Sequence, residues 1–542
     1  MDRISLLPDS ILHHILSFLS LKQVVQTSIL SRRWKETCCT FPILVFDDNS
    51  HFGWEKEVLK YLEQGLLYRH MERISIRKLT ISMTSFFWLV PEFTVLVDQC
   101  VCNAIGSNVK ELKLRFPLFR GRGYNLPQIV FCAESLDVLE LSGCKLYSPR
   151  ISVQLSLRKL YLVDVYADDQ MIENLFARCP LIEYLTIDSC KGFKSLELSL
   201  SKLHEIKVSN NDELKKVEIK ALNVHSVTIT EIKACEIDIA SCRNLKNLIL
   251  SKLSIMDDWL CNVISDFSLL QYLSITNCYE LKRIKISSPS LKELVIYGFV
   301  LLTKVVEVKL ETPNLSIFKF RGDAISFTSN VLALSKTDLY IDCFGYDTQF
   351  FVKYIEFLGN FNQCSEVLNL QCRRGEIAIV PQELRQIFHP PLAGVKHLNL
   401  EIDGNLVDFS IPELVDGLLW LSPHVESISM SFPLVYRHKY VFEFSYKQQL
   451  THGETPSCCQ SLPISCWQNC VKAVMIEHIV ESCGLPSSAF GDKVSSEDKR
   501  FVKQSYVQRF LFKDKILEML HRHHLDLRNM YSYMFDDDDE YE

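Results

Sequence analysis

Length, composition and charge limit what this chain can be. Its 542 residues, 47% of them hydrophobic, suffice for several ordered domains or one long repeat array. The formal net charge of −7 gives no general argument for nucleic-acid binding, so we expect no nucleic-acid partner.

The first 35 residues predict three short helices with an apolar face. In the first helix, Ile11, Leu12, Ile15, Leu16 and Leu19 fall on a single stripe. A proline just before this stripe suits the first turn of a helix, where its missing N–H is not needed. A unit of about 40 residues has too small a core to be stable alone, so we expect its apolar face to bind a partner protein.

The segment LPDSILHHILSFLSLKQVVQTSILSRRWK resembles the F-box of plant F-box proteins. The family's Leu-Pro pair and its S-x-L-S-x-R-W element both have counterparts, whereas Thr37 and Cys38 stand where the family more often has Leu and Trp. The resemblance implies a Skp-type adaptor as partner and, through it, a cullin in a ubiquitin ligase. The residues expected to contact the adaptor are Leu7, Pro8, Ile11, Leu12, Ile15, Leu16, Leu19, Val25, Leu30, Arg33 and Trp34. An alternative is that residues 1–35 form a local core packed on the chain's own repeats.

The next region, 86–97, is the most apolar stretch of the chain. Pro91 and Glu92 interrupt it, and it is too short to span a bilayer, so we expect no membrane partner. The N-terminus lacks the pattern of a secretory signal. We therefore expect the 20 cysteines to be reduced thiols in the cytoplasm or nucleus.

An L-x-x-L-x-L segment, in which Val, Ile or Phe can replace Leu, recurs through the middle of the chain. Steps of 21 residues (136 to 157) and 25 residues (157 to 182) are typical of leucine-rich repeats. The steps 203 to 214 to 224 are shorter, and we expect each of these short coils to hold a strand and a turn without a helix. Copies begin at Val109, Leu136, Leu157, Ile182, Leu203, Leu214, Val224, Leu245, Leu270, Leu281, Leu291 and Leu315, with fainter ones at Val395 and Val425.

Cysteines accompany these repeats at fixed positions. Cys144, Cys190 and Cys278 each lie three residues after the last apolar position of a strand, which is the Asn/Cys position of the repeat consensus. Cys179 and Cys242 each lie three residues before the next strand. We interpret them as buried, hydrogen-bonded structural residues, with metal binding or redox sensing as the alternative.

The repeat region also resembles plant F-box/leucine-rich-repeat proteins, for example in LVDQCVCNAIGSNVKELKL and SSPSLKELVIYG, and the end of the chain resembles their FBD region. In that C-terminal region, SLPISCWQNCVKAVMIE predicts a strand, and the segments after it predict one or two helices. The expected fold is α/β: a three-helix F-box, an irregular leucine-rich-repeat solenoid and a mixed C-terminal cap. The expected divisions are 1–48 (F-box), 49–108 (linker and repeat cap), 109–325 (repeats), 326–430 (degenerate repeats), 431–535 (FBD-like) and 536–542 (acidic disordered tail).

A solenoid offers one long concave strand face, and such faces usually bind partners. The side chains expected to contact a protein substrate there are Arg115, Tyr161, Asp188, Thr230, Thr276, Tyr297 and Arg321. Two alternatives remain: a receptor whose solenoid holds a small-molecule hormone, and an adaptor-binding scaffold without a ligase role. The face carries mixed charge, which does not favour a strongly anionic ligand.

No segment predicts an enzyme. The chain lacks phosphate-binding glycine loops, a G-x-S-x-G elbow and an H-E-x-x-H metal motif. His521, His523 and His524 are more typical of a solvated helix end than of a zinc site. We therefore expect a non-catalytic ligase subunit with no catalytic residues, no metal and no cofactor.

Overall fold

The computed structural model describes residues 4, 6–19, 21–47, 55–84, 86–118, 123–147, 153–298, 305–331, 334–341, 346–362, 366–402, 411–433, 438–446, 471–481 and 505–511. The chain divides into two compact units. Unit 1 comprises Met1–Ser254 with Asp266–Leu270, and unit 2 comprises Ile255–Ser265 with Gln271–Glu542.

Unit 1 begins with the three predicted helices and continues as a repeat array. Pro8 precedes the first helix with ψ of 151°, and the Ser31 side chain accepts the Trp34 N–H at 3.2 Å to start the third. The helices of unit 1 are α1 (Asp9–Leu16), α2 (Leu21–Thr27), α3 (Arg32–Thr40), α4 (Glu55–Met71), α5 (Pro91–Gly106) and α6 (Asp169–Arg178). Its strands are β1 (Ile43–Asp47), β2 (Lys78–Ser82), β3 (Glu111–Arg115), β4 (Tyr124–Asn125), β5 (Val138–Ser142), β6 (Cys144–Lys145), β7 (Lys159–Val163), β8 (Tyr184–Asp188), β9 (Ser195–Leu198), β10 (Glu205–Ser209), β11 (Lys216–Ile219), β12 (Ser226–Thr230), β13 (Glu236–Asp238) and β14 (Asn247–Ser251).

The main sheet of unit 1 is parallel, in the order β1-β2-β3-β5-β7-β8-β10-β12-β14. The repeated apolar residues stay in register from strand to strand, as in Leu112, Leu139, Leu160 and Leu185. These side chains are at most 1% exposed, while the residues between them face the other side. One strand cannot bury its own apolar side, so stacked coils share one continuous core. The predicted α/β repeat architecture is therefore confirmed.

The short steps of the repeat need a correction. Between β10 and β12 the chain crosses to β11, which pairs with β9 and β13 in a separate three-stranded parallel sheet. The spacing of 11 and then 10 residues therefore marks two strands of one 21-residue coil, one in each sheet, and not two very short coils. The 25-residue step from 157 to 182 instead contains α6. A strand advances about twice as far per residue as a helix. The shorter coil therefore uses a strand to connect one strand of the main sheet to the next.

In unit 1, the main strands β7, β8, β10 and β12 are each followed by a left-handed residue. Asp164, Ser189, Asn210 and Glu231 follow successive strands and have φ between 51° and 56°. Each donates its N–H to the last carbonyl of the next strand, as from Asp164 to Asp188 O at 2.9 Å. Left-handed backbone is uncommon for residues other than glycine, and here the stacked hydrogen bonds hold it at every coil.

The repeat cysteines lie beside this column. Cys144 and Cys190 are 0% and 3% exposed, and the Cys190 thiol donates to Leu162 O at 3.4 Å. Asn211 occupies the same position one coil later, and its amide donates to Ile187 O and Ser209 O and accepts the Cys190 N–H. Burial raises the pKa of the Cys190 thiol to about 12. These contacts support the interpretation of the cysteines as structural residues.

We expect Cys144, Cys190 and Cys278 to resist alkylation in the native protein and to react once it unfolds. All three are nearly inaccessible, and a thiol whose pKa is raised supplies little reactive thiolate. Mass spectrometry after brief iodoacetamide treatment tests this, with the exposed Cys132 and Cys261 as internal positive controls. Rapid native labelling of the three, or stoichiometric zinc in the purified protein, would contradict it.

Unit 2 repeats the arrangement and then changes it. Its helices are α7 (Asp257–Ser265), α8 (Thr348–Gly359), α9 (Gln382–Ile387) and α10 (Ile411–Leu421). Its strands are β15 (Tyr272–Thr276), β16 (Arg283–Ser287), β17 (Glu293–Tyr297), β18 (Glu307–Glu311), β19 (Ile317–Gly322), β20 (Ser326–Ser329), β21 (Lys336–Ile341), β22 (Val367–Cys372), β23 (His397–Ile402), β24 (Ser427–Pro433), β25 (His438–Tyr446), β26 (Val471–Glu481) and β27 (Ser505–Leu511). Parallel pairing runs β15-β17-β19-β21-β22-β23-β24, with β16-β18-β20 as a second sheet. The faint copies at 395 and 425 correspond to β23 and β24.

The C-terminal strands are antiparallel, in the order β24-β25-β26-β27. The strand expected in 471–477 is present as β26. The helix predicted within SSEDKRFVKQSYVQRF (495–510) is wrong for its last part, because Ser505–Leu511 is a strand paired with β26. Apolar and polar residues do not alternate along SYVQRFL, so the sequence pattern does not indicate a strand there, and pairing with β26 decides it. The His521 cluster and the acidic tail at 536–542 lie outside the described residues.

Aromatic rings fill the core of unit 2 around α8. Phe318, Phe327, Phe357 and Phe361 pack with ring centroids 5.2–5.8 Å apart. Tyr354 is also fully buried, and its hydroxyl has no hydrogen-bond partner among the described residues. Burial holds the pKa of this hydroxyl well above its usual range.

Tyr354→Phe is expected to stabilise the protein by about 1 kcal/mol, because it removes a buried hydroxyl that makes no hydrogen bond. Denaturant unfolding followed by tryptophan fluorescence measures the change. Tyr124→Phe is the matched control: the Tyr124 hydroxyl is also buried but donates to Asp98 Oδ1 at 2.5 Å, so its loss should destabilise. Equal changes in the free energy of unfolding for the two variants would contradict this difference in hydrogen bonding between the two hydroxyls.

Within the described residues, no helix is long and apolar enough to cross a membrane. The same part of the chain brings no three His, Cys, Asp or Glu side chains into a metal-binding group.

Candidate binding surfaces

The three N-terminal helices have a core of their own. Leu12, Leu16, Val24, Trp34 and Phe41 are at most 6% exposed and pack together. Partly buried side chains surround this cluster, namely Leu7, Ile15, Leu19, Cys38 and Ile43. The helices thus bury much of their apolar stripe against one another, and the cluster continues into β1 through Ile43.

This packing corrects part of the predicted adaptor surface. Leu12, Leu16 and Trp34 are buried inside the core, so they have almost no surface left for an adaptor. The stripe predicted on α1 is real, but α2 and α3 fold onto it. Leu7, Ile15 and Leu19 lie at the core's edge and expose only part of their surface.

The remaining predicted residues lie towards solvent. Ile11 is 45% exposed and Leu30 is 65% exposed, Pro8 is exposed, and Val25 is half-buried. Arg33 forms an ion pair with Asp9 at 2.5 Å, which joins the first turn of α3 to the first turn of α1. Ile11 lies in the first turn of α1 and Leu30 lies two residues before α3, so part of the predicted set stays accessible to a partner.

Four further apolar side chains of the N-terminal segment are exposed and were not among the predicted adaptor contacts. They are Leu6 (77% exposed), Phe18 (72%), Ile29 (84%) and Ile4 (53%). None of the four belongs to the α1 stripe. Apolar residues outside that stripe were the feature of the sequence that could have indicated them. Several exposed apolar side chains on one small unit make it a candidate for protein binding.

A second candidate surface, in each unit, is the solvent-facing side of its main parallel sheet. In unit 1, Arg115, Asp188 and Thr230 occupy one row across the strands, and Tyr161 lies in the adjacent row. In unit 2, Thr276, Tyr297 and Arg321 are direct neighbours on β15, β17 and β19. All seven side chains lie on the face opposite the buried leucines, as the predicted strand register requires.

Charges on the unit 1 face neutralise one another. Glu140 contacts Lys113 at 2.9 Å and Arg115 at 2.6 Å. Partial burial alone would raise the pKa of Glu140, but the hydrogen bonds from these two cations outweigh it and hold the pKa below its usual range. Since both cations already pair with a carboxylate, the face is poorly suited to a strongly anionic ligand.

The solvent-facing side of the unit 2 sheet carries a series of paired polar side chains. The weak repeat pattern in this part of the chain did not indicate them. Arg321 stacks over the Tyr340 ring at 4.1 Å, and Lys319 pairs with Glu293 at 2.7 Å. Asn399 donates to Asn369 at 2.6 Å, and Gln371 donates to Glu401 at 2.5 Å. Pre-paired groups of this kind can form hydrogen bonds with a protein partner without first reorganising.

Comparisons with known proteins match both the N-terminal helices and the repeat region. A family model for the F-box domain matches residues 4–46, and one described as the At1g61320/AtMIF1 LRR domain matches 66–240 and 231–350. F-box/FBD/LRR-repeat protein At1g13570 of Arabidopsis thaliana is 32% identical over 37% of this chain and 46% of its own length. FBD-associated F-box protein At5g56380 of the same plant is 34% identical over 38% of this chain and 48% of its own length.

A third relative, F-box/LRR-repeat protein 25 of Arabidopsis thaliana, is 28% identical over 43% of this chain and 87% of its own length. Against the first relatives, the chain spans about half of their length. The repeat model alone covers more than half of the 542 residues, and the F-box model covers the three helices that precede it. The chain therefore belongs to the plant F-box/leucine-rich-repeat family.

Proposed function

We propose that this chain is the substrate-recognition subunit of a Skp–cullin–F-box ubiquitin ligase. Its F-box would bind a Skp-type adaptor and, through it, a cullin, while the repeat sheet captures a protein substrate. The observation that carries this proposal is the exposure of the apolar side chains of Ile11 and Leu30. The F-box helices already have a satisfied core, so these side chains are left over for a partner.

The proposed mechanism is proximity. Two binding surfaces on one chain hold a substrate near the ubiquitin-carrying enzyme and raise the effective concentration of one at the other. This role asks for no catalytic residue and no cofactor in the chain itself. We propose the cytoplasm, the nucleus or both as its location.

Affinity capture from plant cells under proteasome inhibition tests the proposal. The intact chain should recover a Skp-type adaptor, a cullin and substrates, whereas a variant of the exposed F-box residues should lose the adaptor and cullin but keep the substrates. Recovery of the adaptor without a cullin by the intact chain would instead support an adaptor-binding scaffold with no ligase role.

A small-molecule receptor is a second candidate, because unit 2 holds a cavity of about 250 Å³. Its described lining is mostly apolar, with Tyr297, Arg321 and Asp323 as its polar groups. Such a cavity is near the lower end of ligand sites and suits a small, largely apolar molecule. A thermal-shift screen with Phe320→Trp as a cavity-filling control distinguishes this function, since ligand stabilisation should disappear in that variant.

A further inference from the structure

A buried arginine connects the F-box to the repeats. Arg69, on α4, is 6% exposed. Its Nη1 donates to Gly65 O at 3.0 Å within α4, and its Nη2 donates to Cys38 O at 3.0 Å and Phe41 O at 3.5 Å. The guanidinium therefore links the helix that precedes β2 to the end of the last F-box helix.

The position of these acceptors explains why a cation is found there. Cys38 lies in the last turn of α3 and Phe41 is its C-terminal cap. Carbonyls at a helix C-terminus lack partners within the helix and carry the negative end of its dipole. A buried guanidinium can satisfy several of them at once, because its donors form a rigid planar fork.

The same residues belong to a second connection. Phe41 packs in the F-box core, and Ile43 begins β1 and contacts that core. The intervening Pro42 accepts hydrogen bonds from the N–H groups of Arg77 at 2.9 Å and Lys78 at 3.0 Å. The F-box core is therefore continuous with the first two strands of the parallel sheet through residues 41–43.

We propose that Arg69 is a positioning residue that holds the F-box at one fixed orientation to the unit 1 repeats. Its consequence for ubiquitin transfer rests on the proposed function: a fixed orientation presents a captured substrate at a defined distance from the ligase. Removing the guanidinium frees the last turn of α3, and the F-box then samples a range of orientations while its own core stays intact.

Distance measurements on the full chain directly test the orientation of the F-box relative to the unit 1 repeats. Genetically encoded spin labels at Glu36, on α3, and Lys202, in the repeats, avoid the native cysteines, and both sites are exposed. Pulsed electron paramagnetic resonance should give a narrow distribution of the distance between the two labels in the native chain. Arg69→Met, of similar length but uncharged, should widen that distribution by about twofold.

Two further variants make the result decisive. Arg69→Lys keeps the charge but can reach only part of the carbonyl set, so its distribution should be intermediate. Arg178→Met, at an exposed arginine of α6, should leave the distribution unchanged. If Arg69→Met proves unfolded by circular dichroism, the Arg69→Lys result decides. A native-width distribution in every folded Arg69 variant overturns the proposal.

Reconstitution with a Skp-type adaptor and cullin adds a functional measurement. Adaptor affinity of Arg69→Met should stay within about twofold of the native value, because the F-box core is unchanged. Self-ubiquitination sites can be mapped by mass spectrometry. We expect modification of a few lysines in the native chain and of many lysines in Arg69→Met. If the native chain binds no adaptor, the proposed function fails, while the distance measurement still decides the role of Arg69. An unchanged lysine pattern in a variant with a widened distribution would overturn the link to transfer.

Discussion

Replacing Ile11 and Leu30 with aspartate is expected to abolish adaptor capture while the chain stays folded. Both side chains are largely exposed and outside the F-box core, so the charges do not enter an interior. Truncating a central interface residue typically costs 2 kcal/mol or more, so the double variant should lose about 4 kcal/mol of binding free energy, roughly a thousandfold in Kd. Calorimetry or surface plasmon resonance with a purified Skp-type adaptor measures this.

Two control variants distinguish loss of the adaptor-binding surface from loss of the folded structure. Leu222→Asp with Val306→Asp places the same charges on apolar side chains that are 62% and 59% exposed in the repeats, and this variant should bind normally. Leu16→Asp should also lose binding, but through loss of the F-box core and with a lower melting temperature. Normal adaptor binding by the Ile11/Leu30 variant would refute the proposed surface.

The second large effect is expected on substrate recovery. The triple variant Arg115→Ala, Tyr161→Ala and Tyr297→Ala removes two side chains from the solvent-facing side of the unit 1 sheet and one from that of the unit 2 sheet. Tyrosine and arginine dominate the energetics of protein interfaces, so we expect most of the captured substrate to be lost. Melting temperature and adaptor binding should stay near the native values, since Lys113 still pairs with Glu140. Quantitative mass spectrometry of captured proteins is the measurement.

A matched control uses the same residue types on other surfaces. Arg178→Ala, Tyr147→Ala and Tyr166→Ala alter exposed side chains that do not belong to the main sheet face, so they should leave substrate recovery unchanged. Equal recovery by the sheet-face variant would place capture elsewhere, for example in the region after residue 430. Unfolding of that variant would show that its side chains contribute to the fold.

The F-box shows where the sequence-based interpretation succeeds and where it stops. The spacing of Leu12, Ile15 and Leu16 correctly predicted an amphipathic α1, because a helical stripe depends only on local geometry. The same spacing does not tell whether a stripe faces a partner or a neighbouring helix. Leu12 and Leu16 belong to the core because α3 brings Trp34 against them, which is a contact between distant parts of the chain.

The repeats show the same division. The apolar periodicity by itself determined the strands and the face on which Arg115 and Tyr297 lie, since side chains alternate strictly along a strand. Only the tertiary structure decided that Val217 belongs to a second sheet and that residues 505–511 form a strand, because sheet membership depends on hydrogen bonds to distant segments. Only the packed structure, too, could show that Arg69 reaches the end of α3, since nothing in the local sequence indicates which carbonyls a buried guanidinium will meet.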